Sequence, residues 1–169
     1  MEQTRRADPQ RQLRLRLRQR IQWGRWALLA IVAVSLVNQV LLMLGVDYHF
    51  LFSAAMPYYL NWLAAQLPIA GFKAVAVVLT VVLYLVYLAC WSLSAQRKDY
   101  FLAALGLYAV DTALLVVFAV ALLENPASCV LEIICHLALL ALLCWSYMAA
   151  RRLAALPRRR RQPSQPVSG

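Results

Sequence analysis

Three side chains in the apolar part of this sequence carry most of its chemical capability: Asp111, Glu132 and His136. Glu132 and His136 stand four residues apart and Cys129 a turn earlier, so a helix would stack all three on one face. Chained Asp, Glu and His groups are the material of proton relays in membrane transporters. They are also a His-plus-two-carboxylate donor set for a metal, although Glu132 to His136 lacks the second histidine of a HExxH site. The plainer alternative is that they satisfy one another and fix helix register. No GxSxG elbow is present, and the isolated glycines form no phosphate-binding loop.

Around that trio the chain is built for lipid. Of its 169 residues 63% are hydrophobic, against about 45–50% in a soluble domain. Only 14% are charged, yet the net charge is +10, because basic and apolar residues are segregated along the chain. That segregation marks a membrane protein and argues against nucleic acid as a partner. Four runs reach the ~20 apolar residues that a bilayer crossing needs: 26–44, 69–94, 100–123 and 127–150. Pro68 and Pro126 stand just ahead of the second and fourth, where proline suits a helix start.

Residues 45–67 are apolar enough to suggest a fifth span but are interrupted by Asp47, His49, Ser53, Pro57, Asn61 and Gln66. Tyr48, Tyr58, Tyr59 and Trp62 give the stretch an interfacial character, predicting a short helix after Pro57 lying on, or dipping into, the membrane surface. Charge supports that choice. All of the 17 Lys and Arg residues except Lys73 flank the runs: eight arginines between Arg5 and Arg25, the Arg97–Lys98 turn, and Arg151, Arg152 and Arg158 to Arg161. Four spans put all of them on one side, and the positive-inside rule makes that side the cytoplasm. The expected architecture is all-α: four transmembrane helices, an outer interfacial helical segment after the first, and both termini cytoplasmic. Residues 1–25 form a basic N-terminal segment, 26–150 the membrane domain, and 151–169 a basic tail of disordered composition.

At ~1.5 Å per residue, Asp111 lies about 18–20 Å below the outer end of its span, close to mid-membrane. Glu132, His136, Lys73 and Asn38 fall in the outer halves of theirs. Lys73, Thr80, Tyr84, Tyr87 and Trp91 form a stripe on the second span that is expected to face inward. Lys73 is then placed to pair with Glu132, and His136 to bond Asp111. Asp47, His49, Tyr58 and Tyr59 would cap this polar cluster from outside. Leu13, Leu17 and Ile21 recur every four residues among arginines, as in a helix lying along the inner leaflet against anionic headgroups. Neither the spacing of Cys90, Cys129, Cys135 and Cys144 nor any Cys/His pattern makes a zinc module or a disulfide framework. The long charged lead is not a cleavable signal, and Asp8 and Pro9 stand where a twin-arginine signal needs apolar residues.

FLFSAAMPYYL at 50–60, YAVDT at 108–112 and EIICH at 132–136 resemble a group of uncharacterised small four-span membrane proteins of Firmicutes-type bacteria. The resemblance implies that Asp111 and the acidic-xxx-His pair act as a set, with Glu132 standing where the group's pattern has Asp. It brings no activity with it. The expected function is therefore that of a non-enzymatic accessory or interaction protein, with a protein partner or a second copy, and without metal or cofactor. A proton or cation transporter subunit is the alternative, and an intramembrane metallohydrolase the third.

Overall fold

Residues 9–46, 48, 50–67, 69–122 and 129–156 are described in the computed structural model. Their regular elements are all helical: α1 (Pro9–Met43), α2 (Ala55–Gln66), α3 (Phe72–Leu93), α4 (Asp99–Leu122) and α5 (Val130–Ala155). Four of these, α1, α3, α4 and α5, are long and apolar enough to cross a membrane. Only 28–39% of each crossing stretch is buried inside the protein, so large side chains such as Val78, Leu85, Val117 and Val120 point outward. An apolar exterior of that extent requires a hydrocarbon solvent.

The four long helices close a ring in which α1 packs on α5, α5 on α4, α4 on α3 and α3 on α1. Helices α3 and α5 are therefore diagonal. Inside the ring, α1 and α5 approach closely at the basic end of the bundle. A Cβ on Gly24 would lie 2.4 Å from Ser146 Oγ and 2.9 Å from the Phe101 ring, so only glycine fits there. Small residues at a crossing are how membrane helices bring backbones together. Below that contact Leu28, Ile31, Phe101, Ala104, Tyr108 and Leu143 fill the core.

At 35 residues, α1 extends ~52 Å, some 20 Å beyond the ~30 Å of a hydrocarbon core. It runs unbroken through the 25/26 boundary. The expected surface-lying helix over 11–22 is instead the first part of α1, because Leu17 is buried and Ile21 packs against the core. These side chains serve the bundle, while Leu13 stays exposed. Arg20 lies over the Trp145 ring at 4.6 Å, Arg25 over Trp91 at 5.5 Å and Arg151 over Tyr147 at 6.0 Å. With exposed Trp23 and Trp26, they form an aromatic and cationic belt of the kind that marks a membrane–water boundary.

At the other end the chain does something the hydropathy pattern leaves open. After Met43 it turns back along α1, with Phe52 in the left-handed region (φ 68°). Helix α2 then starts inside the bundle against α1, α3 and α4. It begins at Ala55, before Pro57 rather than after it. Its 12 residues span ~18 Å, so a start beside the middle of α4 returns it to the end of the bundle. The segment dips into the membrane domain rather than lying on it.

Candidate functional site

Non-helical backbone at membrane depth survives only if protein groups satisfy its N–H and C=O. The residues that do so here identify the site. The first four N–H positions of any helix lack an intrahelical acceptor, and in α2 each is accounted for. Ala54 N donates to Ser35 Oγ at 2.7 Å, Ala55 N to Asp111 Oδ2 at 2.9 Å, and Met56 N to Asp111 Oδ1 at 2.7 Å. Pro57, the next residue, has no N–H. Asp111 is thus the cap of α2, supplied from the middle of another helix. Its charge also faces the positive end of the α2 dipole.

The turn leading into α2 is fastened in the same way. Asn38 accepts from Phe50 N at 2.7 Å and donates to Phe50 O at 2.7 Å and Ser53 Oγ at 3.0 Å. Ser35 donates to Ile31 O, and Tyr84 donates to Ser35 O at 3.1 Å. Farther along α2, the Asn61 amide lies 2.6 Å from Thr80 Oγ1, 2.8 Å from Pro57 O and 3.3 Å from Gln39 Oε1. Two amide hydrogens serve the nearer pair first. The Tyr59 hydroxyl donates to Glu132 Oε2 at 3.0 Å and lies 3.7 Å from Cys129 Sγ. Its ring sits 4.2 Å from that of Phe118.

Buried His136 joins Asp111 from α5. Its Nδ1 is 3.0 Å from Glu132 O, and its Nε2 is 3.4 Å from Asp111 Oδ2. A carbonyl can only accept, so Nδ1 is the donor of its pair, while Nε2 faces the Asp111 carboxylate. At that distance Nε2 makes no aligned hydrogen bond, leaving the atom with spare hydrogen-bonding capacity. Tyr108 stacks on the imidazole at 5.2 Å with the rings 1° from parallel. The buried hydroxyls of Tyr87 and Tyr108 have no hydrogen-bond partner among the described residues.

The predicted cluster is therefore partly assembled. Asp111 and His136 meet, Glu132 adjoins them through its backbone, and Asn38 serves the re-entrant turn. Lys73 does not join. It is exposed, beside a crevice of about 200 Å³ that Gln39 and Asn61 also line. The expected Lys73–Glu132 pair fails because α3 and α5 are diagonal; Tyr59 on the intervening α2 takes the Glu132 carboxylate instead. Of the predicted cap, Tyr59 reaches the cluster and Tyr58 contacts it edge-on through Tyr59 at 5.4 Å. Asp47 and His49 lie outside the described residues. Among the described residues no three His, Cys, Asp or Glu side chains are disposed to hold a metal. Their four cysteines are free thiols.

Ser35, Ser53 and Asn61 are the site residues that sequence reasoning passed over. Ser35 and Asn38 were visible as polar interruptions of the first span, three apart and hence on one face. That spacing was the available signal for a backbone needing acceptors. Fold and site together define a polytopic α-helical membrane protein with four long helices and a fifth, re-entrant one capped by a carboxylate from the bundle. Comparison with protein-family models, curated proteins and solved structures gives no match.

Proposed function

We propose that this protein is a non-enzymatic accessory or interaction protein of a bacterial cell membrane, with both termini cytoplasmic. One observation carries the reading. The two Asp111 oxygens, with Ser35 and Asn38, are committed to the backbone of residues 50–56. A relay carboxylate must free its oxygens to exchange a proton, whereas both oxygens of Asp111 are held by backbone N–H donors. On this reading the polar cluster builds the re-entrant segment, and partners, including a second copy, read the surface it shapes. The reading extends to the small four-span proteins that the chain resembles: FLFSAAMPYYL supplies the re-entrant turn, YAVDT its acceptor, and EIICH the histidine beside it. Orientation rests on the basic residues crowding one end. Cysteine placed at exposed Tyr48 is expected to react with an external reagent, and cysteine at Gln96 only after permeabilisation.

A proton path is the second reading, favoured by the spare hydrogen-bonding capacity of His136 Nε2 and the Tyr87 and Tyr108 hydroxyls. Reconstitution in liposomes with a trapped pH-sensitive dye separates the two. The accessory reading expects no protein-dependent flux. Flux that Asp111→Asn abolishes while the protein stays folded would overturn it.

A further inference from the structure

The basic end of the bundle holds a second feature, remote from Asp111. A cavity of about 510 Å³ opens between α1, the α3–α4 turn and α5. Arg14 and Arg18 line it from α1, and Arg97 and Lys98 from the turn; the one acid on its wall is Asp99. Ile21 from α1 and Ala150, Leu153 and Leu156 from α5 and its end add apolar side chains to the wall. The cavity opens on the basic side of the Arg20–Trp145 and Arg25–Trp91 contacts, with Ile21 one residue from Arg20.

We propose that this cavity binds the phosphate of an anionic membrane glycerophospholipid. Three guanidinium groups and an ammonium line one space, and a guanidinium binds phosphate oxygens in pairs. Basic pockets between transmembrane helices, at the membrane surface, are where anionic headgroups lodge. The volume lies within the ~300–1,000 Å³ typical of ligand sites. The apolar wall selects the source of the phosphate. A soluble phosphate ester gains nothing from Ile21 and Ala150, the apolar lining residues nearest the Arg20–Trp145 level, whereas a lipid lays its glycerol and first methylenes there while its headgroup meets the arginines. Three separate elements form the site, so a bound lipid would tie the end of α1 to the α3–α4 turn and to α5. The site does not depend on whether Asp111 caps or conducts.

The test uses the full chain in phosphatidylcholine bilayers titrated with brominated phosphatidylglycerol, read as quenching of tryptophans such as Trp91 and Trp145 in the adjoining belt. Preference for phosphatidylglycerol over equally brominated phosphatidylcholine is expected. The double substitution Arg97→Gln/Lys98→Gln, on exposed side chains, should weaken it roughly tenfold or more at low salt. The double substitution Arg11→Gln/Arg16→Gln removes the same charge from α1 residues that do not line the cavity and should leave the preference intact. Equal losses in both pairs would mean a diffuse basic surface and overturn the site. Retention in the first pair would overturn it as well. Displacement of the lipid by millimolar glycerol 3-phosphate would assign the cavity to a soluble phosphate and overturn the lipid.

Discussion

Replacing Asp111 tests the capping geometry most directly. Its oxygens accept from Ala55 N at 2.9 Å and Met56 N at 2.7 Å, and it is 2% exposed, so water cannot take over. Hydrogen bonds to a charged group are worth ~1.5–3 kcal/mol each, and a buried donor left unpaired costs ~1–3 kcal/mol. Asp111→Asn keeps one oxygen, now neutral, and turns an NH₂ toward the other N–H, for a loss of about 2–4 kcal/mol. Asp111→Ala strands both donors and removes the anion beside His136, for about 3–6 kcal/mol. Partial satisfaction in the unfolded, membrane-inserted state lowers both figures without changing their order. Unfolding in mixed dodecyl maltoside and sodium dodecyl sulfate micelles should rank wild type above Asp111→Asn and both above Asp111→Ala. Asp111→Asn at wild-type stability would refute the cap.

The remaining substitutions probe neighbouring contacts by the same unfolding measurement. Ser35→Ala removes the acceptor of Ala54 N and should cost about 1–2 kcal/mol. Tyr59→Phe loses the bond to Glu132 and should cost about 1 kcal/mol; Cys129, 5% exposed beside the Tyr59 hydroxyl, should then react faster with a membrane-permeant maleimide. Gly24→Ala forces a methyl group against Ser146 and should cost about 1–3 kcal/mol. Ser146→Gly in the same chain should recover part of that loss despite the ~1 kcal/mol penalty of a helical glycine.

The four crossings were legible because each is a long apolar run bounded by charge, and bilayer thickness fixes its length. Compatible depth made a meeting of Asp111 and His136 possible, and the packing of α4 on α5 is what realises it. The course of residues 45–67 was not. Their composition suits an interfacial helix and a buried one equally, and the deciding fact is which distant groups accept their N–H bonds. Nothing local to Ala54–Ala55–Met56 announces an acceptor 56 residues away. Lys73 misled for a related reason. Its depth matched that of Glu132, but depth does not say which helices are neighbours, and a diagonal placement defeats a pair of the right height. The arginines before the first span misled through their own regularity: Leu17 and Ile21 make the same stripe whether they meet lipid or α5.

The two ends of the bundle are joined by different physics, and that difference has a measurable consequence. At the basic end, α1 and α5 meet through absent atoms, where Gly24 admits Ser146 and Phe101. At the other end α1, α4 and α5 are bound to a re-entrant backbone through Asn38, Ser35, Asp111 and Tyr59. Along α5, Ser146 lies ten residues from His136, ~15 Å. The contacts of Gly24 and of Asp111 share no residue. Sites so separated should contribute independently, so Gly24→Ala and Asp111→Asn combined should lower stability by the sum of their separate effects, within about 0.3–0.5 kcal/mol. A larger coupling would mean that α2 is seated by the α1–α5 crossing as much as by its carboxylate cap. In that case repairing the crossing with Ser146→Gly should also restore the re-entrant segment.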